Sequence, residues 1–238
     1  MDDTILDIEF LKDFKDITLP DPSEIEYWKL AKYRTFFIDY DVDEDYRLIE
    51  LAKTIIRMNL EEAKIPEKDL KPITLLIFSY GGDLDQANFM CDLIESSRIP
   101  IITVATGVAM SAGFLIFLAG KRRYAFEHTS LLVHEGSASF SGTAEAIRQA
   151  QENYQKQLEQ MREYVLSHTD IDAETFDANR TKDWYLSSKE IRQFKLAKII
   201  KNLKDITYQN LISIRGIGMA KALELLAISE LTKRINYD

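Results

Sequence analysis

This sequence of 238 residues has few of the features that cross-link a chain or anchor it in a membrane. It contains a single cysteine, Cys91, so no disulfide can form within the chain, and a reducing compartment is expected. Its longest apolar run, residues 114–119, is far shorter than the roughly 20 residues of a membrane-spanning helix. The first ten residues contain acidic side chains where a secretory signal peptide has basic ones. We therefore expect a cytoplasmic chain with no membrane segment.

Positive charge is also in deficit, because 30 Lys and Arg residues stand against 39 Asp and Glu residues and the net charge is −9. Such a balance argues against a surface-wide affinity for nucleic acid. Hydrophobic residues make up 46% of the chain. This proportion supports one large domain or two modest domains with a buried core.

Glycine and proline are distributed unevenly, and they divide the chain into three segments. All five prolines lie at or before Pro100, whereas seven of the nine glycines lie between Gly81 and Gly142. Residues 1–28 are predicted to form an acidic and aromatic arm of unknown function that ends near the turn sequence LPDPSE. Residues 29–200 are predicted to form the main domain, and residues 201–238 a small appendage.

Strand-like and helix-like runs alternate through the main domain. The strand-like runs are YRTFFIDY, PITLLIFS and PIITVAT, and the runs EDYRLIELAKTIIRMNLEEAK and DLDQANFMCDLIESS between them are typical of helices. Further along we expect a helix in AGFLIFLAG and short strands in RRYAF and SLLVH. Alternation of this kind predicts an α/β fold with a parallel sheet.

A long helix is expected over residues 143–167, where apolar residues recur three or four positions apart. These residues are Ile147, Ala150, Tyr154, Leu158, Met161 and Val165. An apolar stripe on a helix has to pack against another surface. Either the core of the same chain or a second subunit would satisfy it.

One hydroxyl, that of Ser111, lies inside the otherwise apolar stretch ATGVAMSAGFLIFLAG. A serine on a tight strand-to-helix turn exposes its oxygen at the carboxyl edge of a sheet, beside the free N–H groups of the helix start. Small neighbours such as Ala109 and Gly113 would leave room for a substrate carbonyl. The alternative is a small residue that packs the helix against the sheet.

A nucleophilic serine needs a base within hydrogen-bond reach, and the chain has three histidines. His128 lies in a predicted turn, and His168 lies at a helix C-terminus, where the helix dipole favours a cation. His134 closes the strand SLLVH, so its ring is expected at the same sheet edge as Ser111. A purely structural histidine is the alternative.

Four segments, in order, resemble the proteolytic subunit of the Clp protease, a self-compartmentalising serine peptidase. FSYGGDLDQA is similar to its Ser-Pro-Gly-Gly stretch, and GVAMSAGFLIFLAG to its nucleophile segment. LLVHEGSASFSGTAEAI is similar to its histidine segment, and SHTDIDAETFDANRTKDWYLSSKEI to its aspartate segment. The resemblance covers about residues 29–200, which is the main domain.

The resemblance implies a role for each matching residue. Ser111 would be the nucleophile, His134 the general base and Asp183 the carboxylate that orients the imidazole. The N–H groups of Gly81 and Ala112 would stabilise the oxyanion. Without the resemblance the glycine pair would be only a turn, and three further acids would compete with Asp183, namely Asp170, Asp172 and Asp177.

The same resemblance implies a ClpP/crotonase-like α/β fold of layered β-β-α units with a long protruding helix. It implies a serine endopeptidase that hydrolyses unfolded polypeptides through an acyl-enzyme, with no metal and no cofactor in its own chain. Its partners would be further copies of the chain in stacked rings and an ATP-driven AAA+ unfoldase. The enzymatic alternative is a crotonase-like acyl-CoA enzyme, which also uses a backbone oxyanion hole.

The chain departs from the family at several positions. Tyr80 stands where the family has proline, and Glu135 and Gly136 stand where it has a glutamine-proline pair. An acid beside the base would favour its protonated form. Lys195 replaces a glycine of the last strand, and the usual N-terminal loop is not recognisable in residues 1–20.

The C-terminal appendage contains LISIRGIGMAKALELLA, which resembles a helix-hairpin-helix of the RadC-like kind. The backbone N–H groups of Gly216 and Gly218 in its turn would bind a phosphate without reading sequence. The appendage predicts either weak nucleic-acid contact or a purely structural αα-hairpin. A DNA-associated scaffold that acts through this tail is the non-enzymatic alternative.

Overall fold

The computed structural model describes residues 22–43 and 46–200. The chain divides into two compact units, Met1–Tyr33 and Arg34–Asp238. The described part of the first unit is a single helix, α1 (Pro22–Lys32), and the predicted boundary between residues 28 and 29 falls inside it. The predictions for residues 1–21 and for the C-terminal appendage lie outside the described residues.

The second unit alternates strands and helices. Its strands are β1 (Thr35–Ile38), β2 (Ile73–Ser79), β3 (Ile101–Met110), β4 (Arg122–Phe126), β5 (Ser130–Val133), β6 (Trp184–Leu186) and β7 (Lys198–Ile200). Its helices are α2 (Tyr46–Glu61), α3 (Leu84–Ser96), α4 (Ala112–Leu118), α5 (Ala144–His168), α6 (Ala173–Asn179) and α7 (Ser188–Gln193), with a 3-10 turn at Glu67–Asp69.

Five of the strands form a parallel sheet in the order β1-β2-β3-β4-β7. Helices connect its first four strands along the chain, as parallel connections require. The predicted α/β fold with a parallel sheet is therefore confirmed. Strand β3 runs on to Met110, beyond the predicted PIITVAT, and its far end pairs with β5 instead of β4.

One strand pair departs from the parallel pattern. Strands β5 and β6 are antiparallel, with Val133 opposite Trp184. The long helix α5 and the short helix α6 separate the two strands in sequence, and they return the chain so that β6 runs against β5. This pairing brings the residue after β5 beside the residue before β6.

Helix α4 is the centre of the core. Every one of its seven residues is buried, in keeping with an apolar character on all sides. Its close approach to β3 depends on Gly120, where an added Cβ would lie 2.1 Å from Thr103 Oγ1. The buried Thr103 hydroxyl donates to the carbonyl oxygen of Phe117 at 2.7 Å. The helix is thus held rigidly against the strand that leads into it.

Helix α5 covers the predicted long helix and begins at a Thr143 cap that accepts from the Ala146 N–H. The apolar stripe divides into two parts. Leu158, Met161 and Val165 are buried, whereas Ile147, Ala150 and Tyr154 are only partly covered.

Among the helices in residues 22–43 and 46–200, none is long and apolar enough to cross a membrane.

Candidate active site

Ser111 lies on a sharp turn between the end of β3 and the start of α4. Its backbone has φ 51° and ψ −121°, a conformation that residues other than glycine rarely adopt. The surrounding structure has to hold the residue in it. Its N–H donates to Leu132 O of the neighbouring strand at 3.0 Å. The Ser111 side chain does not cap α4. The hydroxyl is therefore available to another partner.

The turn can form because small residues surround it. Gly81 has φ 107°, and a Cβ there would lie 2.7 Å from both Met110 O and Ser111 Cβ. A Cβ at Gly113 would lie 3.2 Å from Ser79 Cβ. The segment before the glycines is anchored by the buried Ser79, whose hydroxyl donates to Tyr40 O at 2.7 Å. The glycine pair is thus fitted against the serine turn.

His134 follows directly after β5, and its ring lies between a hydroxyl and a carboxylate. Its Nε2 is 2.8 Å from Ser111 Oγ, and its Nδ1 is 2.8 Å from Asp183 Oδ1. Strand pairing explains the meeting: β5 lies beside the end of β3, and the Val133–Trp184 pair places the flanking His134 and Asp183 side by side. Residues far apart in sequence form one continuous hydrogen-bonded chain.

The donors and acceptors in the Ser111–His134–Asp183 hydrogen bonds follow from the properties of the carboxylate. An ionised carboxylate only accepts, so Nδ1 carries the proton in the bond to Asp183. The Nε2 lone pair then faces the Ser111 hydroxyl, which can donate. This tautomer is the one that a general base for a serine requires.

The competing acids of the sequence have other partners. Asp170 pairs with Lys195, Asp172 accepts from the Thr175 N–H at the start of α6, and Asp177 pairs with Arg162. The Arg162 guanidinium holds the pKa of Asp177 below its ordinary value, and backbone and side-chain bonds from Thr175 do the same for the pKa of Asp172. His128 is exposed in a turn. None of these four meets Ser111 in the described part of the chain.

A cleft of about 350 Å³ opens beside the Ser111 hydroxyl. Its lining includes Ser111, Ala112, His134, Gly82, Leu115 and Met161. Residues of α4, of α5 and of the glycine segment thus line the cleft together. A polypeptide segment has room to place a carbonyl against Ser111 Oγ here.

The predicted oxyanion donors occupy different surroundings. Ala112 begins α4, where backbone N–H groups have no partner within the helix. Gly81 is buried, and its N–H donates to Ser79 Oγ at 3.2 Å. Its neighbour Gly82 is exposed and lines the cleft. The sequence predicted Gly81 as a donor, whereas Gly82 lines the cleft in the structure, because the turn geometry decides which glycine faces it.

The departures from the family pattern also have structural partners. Tyr80 is 64% exposed, and its ring contacts Phe78 edge-on, with 6.1 Å between centroids. The carboxylate of Glu135 pairs with Arg180 at 3.1 Å. Lys195 adopts φ 51°, as the glycine it replaces would do more easily, and its ammonium pairs with Asp170.

In residues 22–43 and 46–200, no group of three or more His, Cys, Asp or Glu side chains is placed to hold a metal ion.

Comparison with known proteins identifies the family of the chain. The Clp protease family matches residues 24–203. The ATP-dependent Clp protease proteolytic subunit 2 of Treponema denticola is 31% identical over 164 residues, which cover 66% of this chain and 79% of that protein. The fold is similar to that of a point mutant of ClpP1 from Listeria monocytogenes, with a TM-score of 0.61, 23% identity, and coverage of 76% of this chain and 98% of that one. The chain therefore belongs to the Clp protease family and is a serine-type endopeptidase.

Proposed function

We propose that Ser111, His134 and Asp183 form the catalytic triad of this endopeptidase. The observation that carries the proposal is the continuous chain from Ser111 Oγ through both ring nitrogens of His134 to Asp183 Oδ1, with 2.8 Å at each bond. It lies at a cleft that leaves the Ser111 oxygen accessible. The substrates in this proposal are unfolded polypeptides, because the scissile carbonyl has to enter the cleft that Ser111 and His134 line.

The first half of the reaction forms an acyl-enzyme. The Ser111 Oγ–H proton passes to His134 Nε2 as Oγ adds to the scissile carbonyl carbon. Asp183 accepts from Nδ1–H and stabilises the imidazolium that results. The tetrahedral intermediate then collapses, the C–N bond breaks, and the amine leaves with the proton from Nε2. The acyl group stays on Ser111 Oγ.

The second half restores the enzyme. A water gives a proton to His134 Nε2 and adds its oxygen to the acyl carbon. Collapse of this second intermediate breaks the bond to Ser111 Oγ, which recovers the proton from Nε2, and the carboxylic acid departs. Every proton is thus returned, and the residues that carry the steps need no bound cofactor.

The oxyanion position is served by backbone donors in this proposal. Ala112 N–H is one of them, since it lies at the helix start next to the nucleophile. Gly81 N–H already donates to Ser79, so Gly82 becomes the second donor, and Gly81 shapes the turn. In a structure of the phosphonylated protein, the phosphonyl oxygen should lie within about 3.1 Å of both donor nitrogens.

Stacked rings of identical chains are the assembly we propose, with substrate delivered by an AAA+ unfoldase. The Clp family forms oligomeric rings that pair with unfoldases. The partly covered first half of the α5 stripe supports a contact between copies, because its apolar residues are incompletely buried by the described part of one chain. Native mass spectrometry of the full chain tests the assembly.

The appendage of residues 201–238 remains outside this proposal. The family match ends at residue 203, so Gly216 and Gly218 lie beyond it. The prediction of weak nucleic-acid contact there is tested by salt-sensitive DNA retention of the full chain and of a chain that ends at residue 206.

Active-site labelling tests the triad. The wild-type protein, Ser111→Ala and His134→Ala are treated with a fluorophosphonate probe, and adducts are counted by intact mass. The wild type should gain one adduct and the variants none, because only an activated serine reacts. An unlabelled wild type of verified assembly size would overturn the assignment of Ser111 as nucleophile.

A further inference from the structure

Glu135 and Arg180 connect the two segments that carry the base and its orienting acid. Glu135 follows His134 directly, and Arg180 precedes Asp183 by three residues. The carboxylate of Glu135 forms an ion pair with Arg180 Nε at 3.1 Å, and the Glu135 N–H donates to Arg180 O at 2.9 Å. One pair of residues therefore links the two segments through both side chain and backbone.

The Glu135–Arg180 pair is less exposed to water than the Asp183 carboxylate that bonds to His134. The side chains of Glu135 and Arg180 are 22% and 30% exposed, whereas that of Asp183 is 62% exposed. A carboxylate so open to water gains little from a single ion pair and does not hold its own backbone in place. The position of Asp183 relative to the imidazole therefore depends on contacts elsewhere in its segment.

A third contact fixes Glu135 to the long helix. The Tyr154 hydroxyl donates to Glu135 O at 2.7 Å. Burial, and then the charge of Glu135, raise the pKa of this hydroxyl, so it remains a donor near neutral pH. The backbone on the C-terminal side of His134 is thus bonded to α5 as well as to the Arg180 segment.

The charges around the pair come from three elements. The Arg180 guanidinium also lies 3.7 Å from Asp177 of α6 and 3.9 Å from Glu159 of α5. Arg162 of α5 makes two bonds to Asp177, at 2.7 and 2.8 Å, and lies 3.4 Å from Glu159. The imidazole itself faces Asp183 and the Ser111 hydroxyl. Arg180 is therefore the cation that touches the acid adjoining the base.

We propose that Glu135 and Arg180 are a positioning pair, which holds the Asp183 segment against His134 and neutralises the one carboxylate adjacent to the base in sequence. The proposal rests on the proposed triad, since its effect passes through His134. Loss of Arg180 alone would leave the Glu135 carboxylate, which lines the same cleft as His134, without its cation and favour the protonated, inactive form of the imidazole. Loss of both charges would remove that effect and leave only the looser geometry.

The test compares Arg180→Gln, Glu135→Gln, the double variant and Arg180→Lys in the full chain, with the fluorophosphonate labelling rate followed from pH 5 to pH 9. Arg180→Gln should raise the pH of half-maximal rate by about 0.5 and slow labelling at pH 7 about tenfold. Glu135→Gln should lower the midpoint, because the Arg180 charge is then unpaired and disfavours the imidazolium, and the double variant should keep the wild-type midpoint. Both should label more slowly than the wild type. Arg180→Lys keeps the charge, so its midpoint should also be that of the wild type while its rate falls.

Arg192→Gln is the control, because it breaks a more exposed Arg–Glu ion pair, with Glu127, away from the site. Its labelling profile should coincide with that of the wild type. A wild-type midpoint in Arg180→Gln, or a raised midpoint that persists in the double variant, would overturn the proposal. A merely structural role would change rates without moving the midpoint.

A second readout separates this proposal from the proposed nucleophile. The imidazole carbon resonance of His134 is titrated by NMR in a Ser111→Ala background, with and without Arg180→Gln. The midpoint should rise by about 0.5 in Arg180→Gln whether or not the wild type reacts with the probe. A raised midpoint with an unlabelled wild type would support the pair and reject the nucleophile, and an unmoved midpoint with a labelled wild type would do the reverse.

Discussion

Two histidines of this chain lie in sets of the same composition, each with a serine and a carboxylate. His134 contacts Ser111 and Asp183, whereas His168 is 3.0 Å from Ser167 Oγ and 3.1 Å from Glu95. Both imidazole side chains are 27% exposed. Composition, distance and exposure therefore do not distinguish the two sets.

The difference lies in what each ring nitrogen faces. His168 Nδ1 lies 2.8 Å from Tyr164 O, and a carbonyl oxygen only accepts, so this nitrogen has to donate. It cannot at the same time take a proton from the neighbouring Ser167. The Ser167 hydroxyl in turn donates to the same Tyr164 O at 2.9 Å. In the first set, the free lone pair of His134 faces a hydroxyl on a strained turn, which is the arrangement that proton transfer needs.

The local backbone follows the same division. Ser111 leaves the regular strand at a positive φ that projects its oxygen into a cleft. Ser167 continues α5, and His168 ends it with its ring against Tyr164, 4.1 Å between centroids. One set is built to present a hydroxyl and the other to close a helix.

The strongest test of this contrast is removal of each side chain in the two sets. Ser111→Ala and His134→Ala should lower peptide hydrolysis by at least about 10⁴-fold, and Asp183→Asn by about 10²–10⁴-fold, because the wrong tautomer is then favoured. Ser167→Ala and His168→Gln should retain activity within about threefold. Hydrolysis of a fluorogenic peptide by purified assemblies of equal size measures both. A large loss in the His168 set would erase the distinction.

A smaller effect is expected at the turn that presents Ser111. Gly81→Ala places a Cβ 2.7 Å from Ser111 Cβ at a φ of 107°, so the serine and the donors beside it must shift. We expect hydrolysis to fall about 10²–10³-fold, the range for a lost oxyanion donor. Gly142→Ala, whose φ of 133° is also positive but whose Cβ would meet its nearest neighbour, Ala146 Cβ, at an ordinary 3.4 Å, is the control for backbone strain alone. Equal losses in both variants would assign the effect to strain.

Stability should respond in the second set where activity does not. His168→Gln removes the 3.1 Å contact with Glu95 and the ring contact with Tyr164, and should lower the free energy of unfolding by about 1 kcal/mol. Urea denaturation followed by tryptophan fluorescence measures this loss. Ser111→Ala should be at least as stable as the wild type, since it removes no buried bond outside the site. Equal stability of His168→Gln and the wild type would contradict a structural role for the second set.

The smallest reactivity is expected at Cys91, which lies beside the second set. Burial, partly offset by a bond from Tyr164, raises the pKa of the Cys91 thiol to about 12. At pH 8 only about 10⁻⁴ of such thiols would be ionised, so Ellman's reagent should not label the folded protein. Labelling in guanidinium chloride, where the chain is unfolded, provides the positive control. Rapid reaction of the native protein would mean that the second set opens readily.

Local patterns in the sequence predicted much of the fold and the candidate site. The spacing of apolar residues and the positions of glycine and proline correctly indicated the strands and helices from β1 to α5, because apolar spacing reports which face of an element is buried. The small-residue turn at Ser111 and the strand end at His134 were predicted from the same signals, with their roles supplied by resemblance. The short elements α6, β6, α7 and β7 were not separately predicted, since three to seven residues carry too little periodicity.

The sequence by itself determined the alternation of strands and helices, the apolar helix after Ser111 and the turn that its small neighbours allow, because each depends on residues close together in the chain. Only the tertiary structure decided which acid meets His134, which nitrogen of each histidine accepts, and which of two adjacent glycines lines the cleft. It also decided that Glu135 faces Arg180. These outcomes depend on the antiparallel pairing of β5 with β6 and on the packing of α5, which join residues about 50 positions apart.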